Sequence, residues 1–165
     1  MTNIVLIGMP GCGKSTAGVL LAKTLGYSFL DTDLLLQQKA GKKLYEMIRD
    51  DGMEAFLQLE NKTVASLGDL DKTVIATGGS VVLGEAAMTR LKSLGKIVYL
   101  QRPLAQIEHR VSNIKTRGIA MGPGEGLADV YVHRAPLYER YADVTVSAQD
   151  FSLEETVDEI TRTVI

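Results

Sequence analysis

Short apolar runs alternate along this chain with longer segments in which apolar residues recur every three or four positions. The short runs predict five strands, and their continuous rather than alternating character is typical of strands buried on both faces: Ile4–Ile7, Ser28–Leu30, Thr73–Ala76, Lys96–Leu100 and Val144–Val146. The longer segments predict helices over Lys14–Leu25, Leu34–Lys39, Leu44–Leu67, Glu85–Leu94, Pro103–Val111, Leu127–Tyr141 and Leu153–Val164. This alternation predicts an α/β fold in which a parallel sheet carries helices on both faces and binds its ligands at the carboxyl ends of the strands.

Glycine and serine residues mark where the predicted helices begin, break or end. Ser152, with Glu155 three residues later, predicts a capped helix start, and Gly52 is expected to split or kink the helix that begins at Leu44. Three further glycines stand where helix C-caps are expected: Gly26, Gly68 and Gly95. The glycine-rich stretch 118–126 has no periodicity and lies between two predicted helices, which favours a lid; the alternative is a flexible connection.

Composition and charge exclude several classes of function. A chain of 165 residues, 45% of them hydrophobic, has the size and composition of one globular domain. Its 18 basic and 20 acidic residues give a net charge of −2, which argues against nucleic acid or an anionic membrane as the main partner. A single cysteine allows no internal disulfide, and no leader or membrane-length apolar run is visible. We therefore predict a cytoplasmic protein, and we expect it to be a monomer.

The segment from Gly8 to Ser15 predicts a phosphate-binding loop. It reads G-M-P-G-C-G-K-S and matches G-x-x-x-x-G-K-[ST], directly after a predicted strand and before a predicted helix. Backbone amides of such a loop surround phosphate, and the helix N-terminus attracts the same anion. Lys14 is expected to reach the β- and γ-phosphates, and the Ser15 hydroxyl to ligate Mg²⁺. The residues expected to bind the nucleotide are Gly11, Cys12, Gly13, Lys14, Ser15 and Thr16.

Two aspartates after the second predicted strand are the expected source of further acidic groups. The third strand ends in Thr77-Gly78-Gly79-Ser80 rather than in the aspartate that usually completes a Mg²⁺ site, and Asn61-Lys62-Thr63-Val64 lacks the aspartate of a guanine-binding motif. Asp31 and Asp33 are expected beside the phosphate loop, where one carboxylate can hold metal-bound water while the other accepts a proton from a substrate hydroxyl. The alternative for either aspartate is capping of the following helix.

The order of these motifs resembles that of the shikimate kinase family. Beyond the phosphate loop and the two aspartates, the similarity runs through Ala76-Thr77-Gly78-Gly79, Arg117, Arg134-Ala135-Pro136-Leu137-Tyr138 and Ala142-Asp143. The resemblance implies a three-layer α/β/α P-loop fold with a five-stranded parallel sheet, a substrate-binding helical region at about 33–62 and a lid at about 112–126. It also implies ATP-dependent phosphorylation of a hydroxyl of a small hydroxylated acid, shikimate, with Mg²⁺.

The resemblance assigns roles around the nucleotide. Ser15 and Asp31 would serve Mg²⁺, Arg110 would lie against the adenine ring, and Arg117 would close from the lid onto phosphate and substrate. The implied catalytic residues are Lys14, Asp33 and Arg117.

The resemblance also assigns roles around the acceptor. Asp33 would bind the acceptor hydroxyls, one of which is phosphorylated, and Arg134 would pair with the acceptor carboxylate. Backbone amides would face the same carboxylate at Gly78 and Gly79, with Ser80 beside them. For Arg110, Arg117 and Arg134 the alternative is an exposed surface charge.

The sequence departs from the family pattern in the predicted substrate region. The family pattern Gly-Glu-x-x-Phe-Arg-x-x-Glu is replaced by G-M-E-A-F-L-Q-L-E over residues 52–60, so that Leu57 stands in place of an arginine that grips the carboxylate and Met53 in place of an acid. Ser80 replaces a third glycine, and Gly118 stands where a proline is expected after the lid arginine.

The loss of a cation at Leu57 bears on the identity of the acceptor. A charge-assisted hydrogen bond contributes roughly 1.5–3 kcal/mol, so its absence would weaken shikimate binding about tenfold to a few hundredfold unless another cation compensates. Arg49 is one candidate for that cation, and Glu60 would be left without the arginine it partners. The alternatives are therefore a kinase of another small hydroxylated metabolite, or a noncatalytic ATP-binding sensor whose lid closure is recognised by a partner.

Overall fold

The sheet has five parallel strands, as the sequence predicts. The structure, a computed structural model, describes residues 3–111, 119–122 and 124–165. The strands are β1 (Asn3–Ile7), β2 (Ser28–Asp31), β3 (Thr73–Ala76), β4 (Gly95–Gln101) and β5 (Val144–Ser147). Their order is β2-β3-β1-β4-β5, and every neighbouring pair is parallel. The predicted strands are confirmed, and their ends differ from the observed ends by no more than one residue.

Eight α-helices in the described residues connect and flank these strands. They are α1 (Lys14–Leu25), α2 (Thr32–Ala40), α3 (Leu44–Asp51), α4 (Met53–Ala65), α5 (Glu85–Leu94), α6 (Leu104–Arg110), α7 (Leu127–Tyr141) and α8 (Leu153–Val164), with a 3₁₀ turn at Val81–Leu83. Within these helices no segment is long and apolar enough to cross a membrane.

The predicted helix boundaries are mostly confirmed. Gly52, with φ of 88°, separates α3 from α4, and Gly26, with φ of 70°, ends α1 in the left-handed conformation. The Ser152 hydroxyl accepts a hydrogen bond from the Glu155 amide and caps α8. The prediction of a C-cap at Gly68 is wrong, because α4 already ends at Ala65.

The sheet is buried on both faces, which explains why its strands are apolar at successive positions. Alternate side chains of β1 belong to two separate hydrophobic clusters. One cluster joins Val5 and Ile7 to α5 and α7, and the other joins Ile4 and Leu6 to α1 and α8. A third, smaller cluster holds α2, α3 and α4 together and includes Leu36, Leu44, Met47, Phe56 and Ala120. The third cluster forms one wall of the cleft described below.

The Asn3 side chain connects the amino ends of β1 and β3 with the end of α5, and we predict that Asn3→Asp destabilises the fold. The Asn3 amide nitrogen donates to the carbonyls of Leu70 and Leu94, at 2.8 and 2.9 Å, and its oxygen accepts from the Thr73 amide. An aspartate cannot donate, so two carbonyls lose their partner beside a buried charge. We expect a loss of about 2–4 kcal/mol in the free energy of unfolding, measured by urea denaturation.

Asn61→Asp is the matched control for Asn3→Asp. The Asn61 side chain only accepts a hydrogen bond, from the Ala87 amide, and aspartate keeps that acceptor. Equal urea midpoints for the two variants would contradict the role given to Asn3.

Candidate active site

The carboxyl ends of β1, β2 and β3 open into a single cleft of about 280 Å³. Because parallel strands end at the same edge of a sheet, loops far apart in sequence meet there. The lining residues come from the phosphate loop, the start of α2, the loop after β3, and α3, α4, α6 and α7. They include Lys14, Ser15, Thr16, Asp33, Thr77, Gly78, Gly79, Ser80, Arg110 and Arg134, together with Pro10, Leu44, Phe56, Ile119 and Ala120.

The loop after β1 has the backbone conformation that phosphate binding requires. Gly11 and Gly13 have φ of 79° and 96°, a region that other residues rarely adopt. A Cβ at Gly13 would lie 3.3 Å from a guanidinium nitrogen of Arg110, and a Cβ at Gly11 would collide with Val111. Both glycines are therefore required by the fold, and they leave backbone amides free to approach an anion.

Lys14 lies inside the loop rather than in solvent, with only 7% of the residue exposed. Its ammonium group donates to the carbonyls of Gly8 and Met9, at 2.7 and 2.8 Å. Cys12, which the sequence places in the nucleotide-binding segment, is fully buried with its sulfur 3.7 Å from the Lys14 Nζ. Cys12 is not among the residues that line the cleft: its amide donates to the Met9 carbonyl, and its side chain packs in the core.

Ser15 and Asp31 lie side by side at the mouth of the loop. The Ser15 hydroxyl donates to Asp31 Oδ2 at 2.9 Å, and Asp31 Oδ1 accepts from the Asp33 amide at 2.9 Å. Asp31 is thus the N-cap of α2 through one oxygen and faces Ser15 with the other, so capping does not exclude the role expected for this aspartate. A hydroxyl oxygen next to a carboxylate oxygen is a donor set that suits Mg²⁺.

Asp33 lies on the other side of the cleft, in the first turn of α2. Burial raises the pKa of its carboxyl to about 6; the Asp31 charge adds to this increase, and the Lys14 charge opposes it. A Cβ on Gly78 would stand 2.6 Å from Asp33 Oδ1, so this carboxyl lies directly against the loop after β3. With this pKa, the carboxylate form of Asp33 is in the majority at neutral pH.

Glu60 is a buried carboxyl that adjoins the same loop, and only 2% of the residue is exposed. The Ser80 hydroxyl donates to Glu60 Oε1 at 2.6 Å, whereas Oε2 is buried with no hydrogen-bond partner among the described residues. A Cβ on Gly78 would stand 2.9 Å from Glu60 Oε2. Gly78 therefore lies against Asp33 and Glu60, and any side chain at this position would push against both carboxyls.

Arg134 and Tyr138, one helical turn apart on α7, complete this side of the cleft. Arg134 is 4% exposed; its Nη2 donates to the Ala120 carbonyl, and its Nη1 is buried without a partner among the described residues. The Tyr138 hydroxyl donates to the Gly79 carbonyl at 2.5 Å, and its ring packs against Tyr99 with centroids 5.1 Å apart. The helix therefore fixes the loop after β3, which lines the cleft, and Arg134 has a donor without a partner in the described part of the chain.

Two arginines contact the outside of the phosphate loop. Arg110 is exposed, and its Nη1 donates to the Cys12 carbonyl at 3.4 Å. Arg102 Nε donates to the same carbonyl at 2.9 Å, and its Nη1 donates to the Ala148 carbonyl at 2.9 Å. The contact of Arg102 with the phosphate loop was not predicted from the sequence. Its position directly after β4, at the ligand-binding edge of the sheet, is the signal that could have suggested this contact.

Comparison with known proteins gives the family. A family model described as shikimate kinase matches residues 10–165. The chain belongs to the shikimate kinase family. It is 36% identical over 167 residues to the shikimate kinase of Caldanaerobacter subterraneus subsp. tengcongensis, and this alignment covers 100% of the chain and 97% of the relative. The shikimate kinase of Thermobifida fusca is 37% identical, over 96% of this chain and 92% of the relative.

Solved structures agree with the family and the fold. The shikimate kinase from Acinetobacter baumannii in complex with shikimate superposes with a TM-score of 0.91 at 28% identity, covering 99% of this chain and 93% of that one. The Aquifex aeolicus shikimate kinase gives a TM-score of 0.82 at 30% identity, over 98% and 95% of the two chains. The protein is thus a P-loop kinase, a phosphotransferase that acts on a hydroxyl group, and its family uses ATP.

The shikimate kinase pattern is incomplete at Leu57, and Arg49 does not replace the missing cation. Leu57 is half-buried and lines a second cavity of about 200 Å³, together with Glu54, Glu60 and Ser80. Arg49 is exposed on α3, where its Nε donates to Asp50 at 2.8 Å. Since Arg49 is not among the residues that line the cleft, the prediction that it compensates for Leu57 is wrong.

Arg117, expected to close from the lid, lies outside the described residues, as does most of the predicted lid region 112–126. The described part of that region adds Ile119 and Ala120 to the cleft. The Ala120 carbonyl accepts from Arg134. The described segment 119–122 of the predicted lid region is therefore held to α7 through Arg134.

We predict that Gly78→Ala lowers kcat/KM about tenfold. The new Cβ would stand within 3 Å of carboxylate oxygens from both Asp33 and Glu60, so Asp33 must move, and small displacements of a reacting group are costly. Steady-state kinetics with both substrates would measure the loss. Gly68→Ala is the control, since a Cβ there meets nothing within 4 Å and the residue is exposed; equal kinetics for the two variants would contradict the packing described for Gly78.

Proposed function

We propose that the protein transfers the γ-phosphoryl group of ATP to a hydroxyl of shikimate. The observation that carries this proposal is the placement of Asp33 in the same cleft as the phosphate loop, across from Ser15 and Asp31. The superposition with a shikimate kinase described as a complex with shikimate supports the choice of acceptor.

The phosphate loop would hold the triphosphate. Its backbone amides from Gly11 to Thr16 and the N-terminus of α1 attract phosphate oxygens. Lys14 would exchange the Gly8 and Met9 carbonyls for β- and γ-phosphate oxygens, since all of these are acceptors within reach of one ammonium group. Arg110, exposed beside Gly13, would lie against the adenine ring.

Ser15 and Asp31 would hold Mg²⁺. Their adjacent oxygens fit the ion, because Mg²⁺ in kinase sites takes one or two protein ligands and otherwise uses water and phosphate oxygens. When bound there, Mg²⁺ would neutralise charge that develops on the transferred phosphoryl group.

Asp33 would orient the acceptor hydroxyl and take its proton while the hydroxyl oxygen bonds to the γ-phosphorus and ADP leaves. Its pKa of about 6 places the carboxylate form in the majority at neutral pH. The acceptor carboxylate would lie between the Gly78 and Gly79 amides and the Nη1 of Arg134, for which the described residues offer no partner. Arg117 stays a predicted catalytic residue for charge on the phosphoryl group.

The test is a coupled assay of ADP release with MgATP and a panel of shikimate, quinate and gluconate. We expect stimulation by shikimate and conversion to a monophosphate of shikimate, identified by mass spectrometry. Tight MgATP binding with no stimulation by any acid would favour a noncatalytic sensor.

A second candidate is a kinase of another small hydroxylated acid. Leu57 favours it, because α4 then brings no cation to the acceptor pocket from this position. A kcat/KM higher for another acid of the panel than for shikimate would select this candidate.

A further inference from the structure

We propose that Glu60 is a proton-linked positioning residue of the acceptor pocket: the anionic end of the acceptor binds while the Glu60 carboxyl carries a proton on Oε2. This inference rests on the proposed function, because it assumes an acceptor with a carboxylate. It assigns a specific role to a buried acid for which the phosphoryl transfer described above has no use.

The geometry around Glu60 leaves one oxygen for the proton. Oε1 accepts the Ser80 hydroxyl at 2.6 Å, and Oε2 is buried without a hydrogen-bond partner among the described residues. An ionised carboxylate with an unpartnered oxygen is costly in such a place, whereas a neutral acid is much less so. Oε2 lies against Gly78, whose amide faces the acceptor subsite, so a proton there stands at the anionic end of the acceptor.

No cation of α4 balances Glu60. The residue one turn earlier on the same face is Leu57, and the charged residues Glu54 and Lys62 on this helix are exposed. The charged groups that influence Glu60 from other elements are Asp33 of α2, Arg134 of α7 and Lys14 at the start of α1. Asp33 opposes ionisation of Glu60, while the two cations favour it.

The remaining charged side chains on the helices packed against α4 are engaged elsewhere or exposed. On α3, Arg49 pairs with Asp50 and lies near the ring of Tyr45, and Glu46 accepts from the Lys43 amide. On α5, Arg90 binds the Leu67 carbonyl and Asp69, Lys92 pairs with Asp143, and Glu85 is exposed. Lys39 of α2 is exposed, and the 3₁₀ turn Val81–Leu83 has no charged residue.

Burial is the main cause that raises the pKa of Glu60, to about 7. The Ser80 hydrogen bond opposes the increase, since it stabilises the charged form. Below about pH 7 the carboxyl is therefore mostly neutral and can donate to a carboxylate, and above it the ionised form repels the same group. The fraction of protein competent to bind an anionic acceptor then falls as pH rises.

The expected result is a KM for shikimate that is flat below pH 7 and rises above it, approaching tenfold per pH unit, while the KM for ATP stays constant. Titration of Asp33 occurs at lower pH, and its effect is expected in kcat rather than in the rise of KM above pH 7. Calorimetric titration of wild-type protein with shikimate at pH 7.5, in phosphate and in Tris, is expected to show uptake of about 0.8 proton per site.

Variants separate this role from a structural one. Glu60→Gln keeps the Ser80 contact and a donor in place of the proton, so its KM for shikimate is expected to be low and independent of pH up to about 9. Leu57→Arg would supply a cation one turn from Glu60, and it is expected to abolish both the rise in KM and the proton uptake. Glu154→Gln, at an exposed position of α8 that lines neither cavity, is the control and should keep the wild-type profile.

Four outcomes are distinguished by these measurements. A rise in KM above pH 7 that Glu60→Gln removes, with proton uptake in the wild type, supports the proposal. Shikimate binding without proton uptake, or with the same KM profile in wild type and Glu60→Gln, overturns it and leaves the proposed function standing. If Glu60→Gln does not fold, the presence or absence of proton uptake in wild-type calorimetry supports or overturns the proposal by itself. The absence of any shikimate binding or turnover contradicts the proposed function together with this inference.

Discussion

Asp33→Asn is expected to lower kcat by about 10²–10⁴ while the dissociation constant of MgATP stays nearly unchanged. The magnitude is that of a lost general base, because an amide accepts a hydrogen bond from a hydroxyl but does not take its proton. Asp33 lies at the acceptor side of the cleft and makes no contact with the phosphate loop comparable to those of Lys14. Quench-flow or steady-state rates, with nucleotide binding measured separately, would establish the effect.

A stability measurement separates this loss from misfolding. Burial and the Asp31 charge both oppose ionisation of Asp33, so the neutral amide is expected to leave the free energy of unfolding equal or higher at pH 8. Asp158→Asn, on the exposed face of α8, is the matched control. Wild-type turnover in Asp33→Asn would end the assigned role.

Lys14→Met is expected to lower kcat by about 10²–10³ and to raise the KM for ATP. One donor aimed at charge that develops in the transition state contributes roughly 2.7–4 kcal/mol. The ammonium group of Lys14 is buried inside the phosphate loop, where it can act as such a donor. Methionine matches the length of the lysine stem without its charge. Steady-state kinetics in ATP, at saturating acceptor, would measure both parameters.

Two further variants test whether the effect of Lys14→Met comes from the loss of this particular charge. Lys23→Met removes an exposed charge from the far end of α1 and should leave the kinetics unchanged. Lys14→Arg keeps the charge in a larger group and is expected to fall between wild type and Lys14→Met. Because the Gly8 and Met9 carbonyls lose their donor in Lys14→Met, thermal unfolding should be recorded as well. Unchanged kcat in a folded Lys14→Met would contradict a phosphate-binding Lys14.

The nucleotide half of the site could be predicted because it is contiguous. All of its proposed residues except Asp31, Arg110 and Arg117 lie within the six positions 11–16. The strand before them and the helix after them have clear patterns of apolar residues. Asp31 was the harder case, since capping and metal binding looked like alternatives. Its two oxygens serve different donors, the Asp33 amide and the Ser15 hydroxyl, and this division is visible only in three dimensions.

The acceptor half was predicted in outline only. Gly78, Gly79 and Arg134 were expected there, yet nothing in the sequence showed that Tyr138 holds the Gly79 carbonyl or that the oxygens of Asp33 and Glu60 both lie against Gly78. The suggestion of Arg49 failed for the same reason: distance along the chain does not reveal that Arg49 lies on an exposed part of α3 and pairs with Asp50.

Local patterns in the chain were sufficient for the strands, most helix ends, the phosphate loop and the edge of the sheet where ligands bind, because each depends on neighbouring residues and on the period of apolar positions. Three features came from packing between segments that are distant in sequence: the strand order, the burial of Glu60 Oε2 without a hydrogen-bond partner among the described residues, and the contact of α7 with the loop after β3. Those contacts are set by which surfaces exclude water from one another, and that competition involves the whole molecule at once.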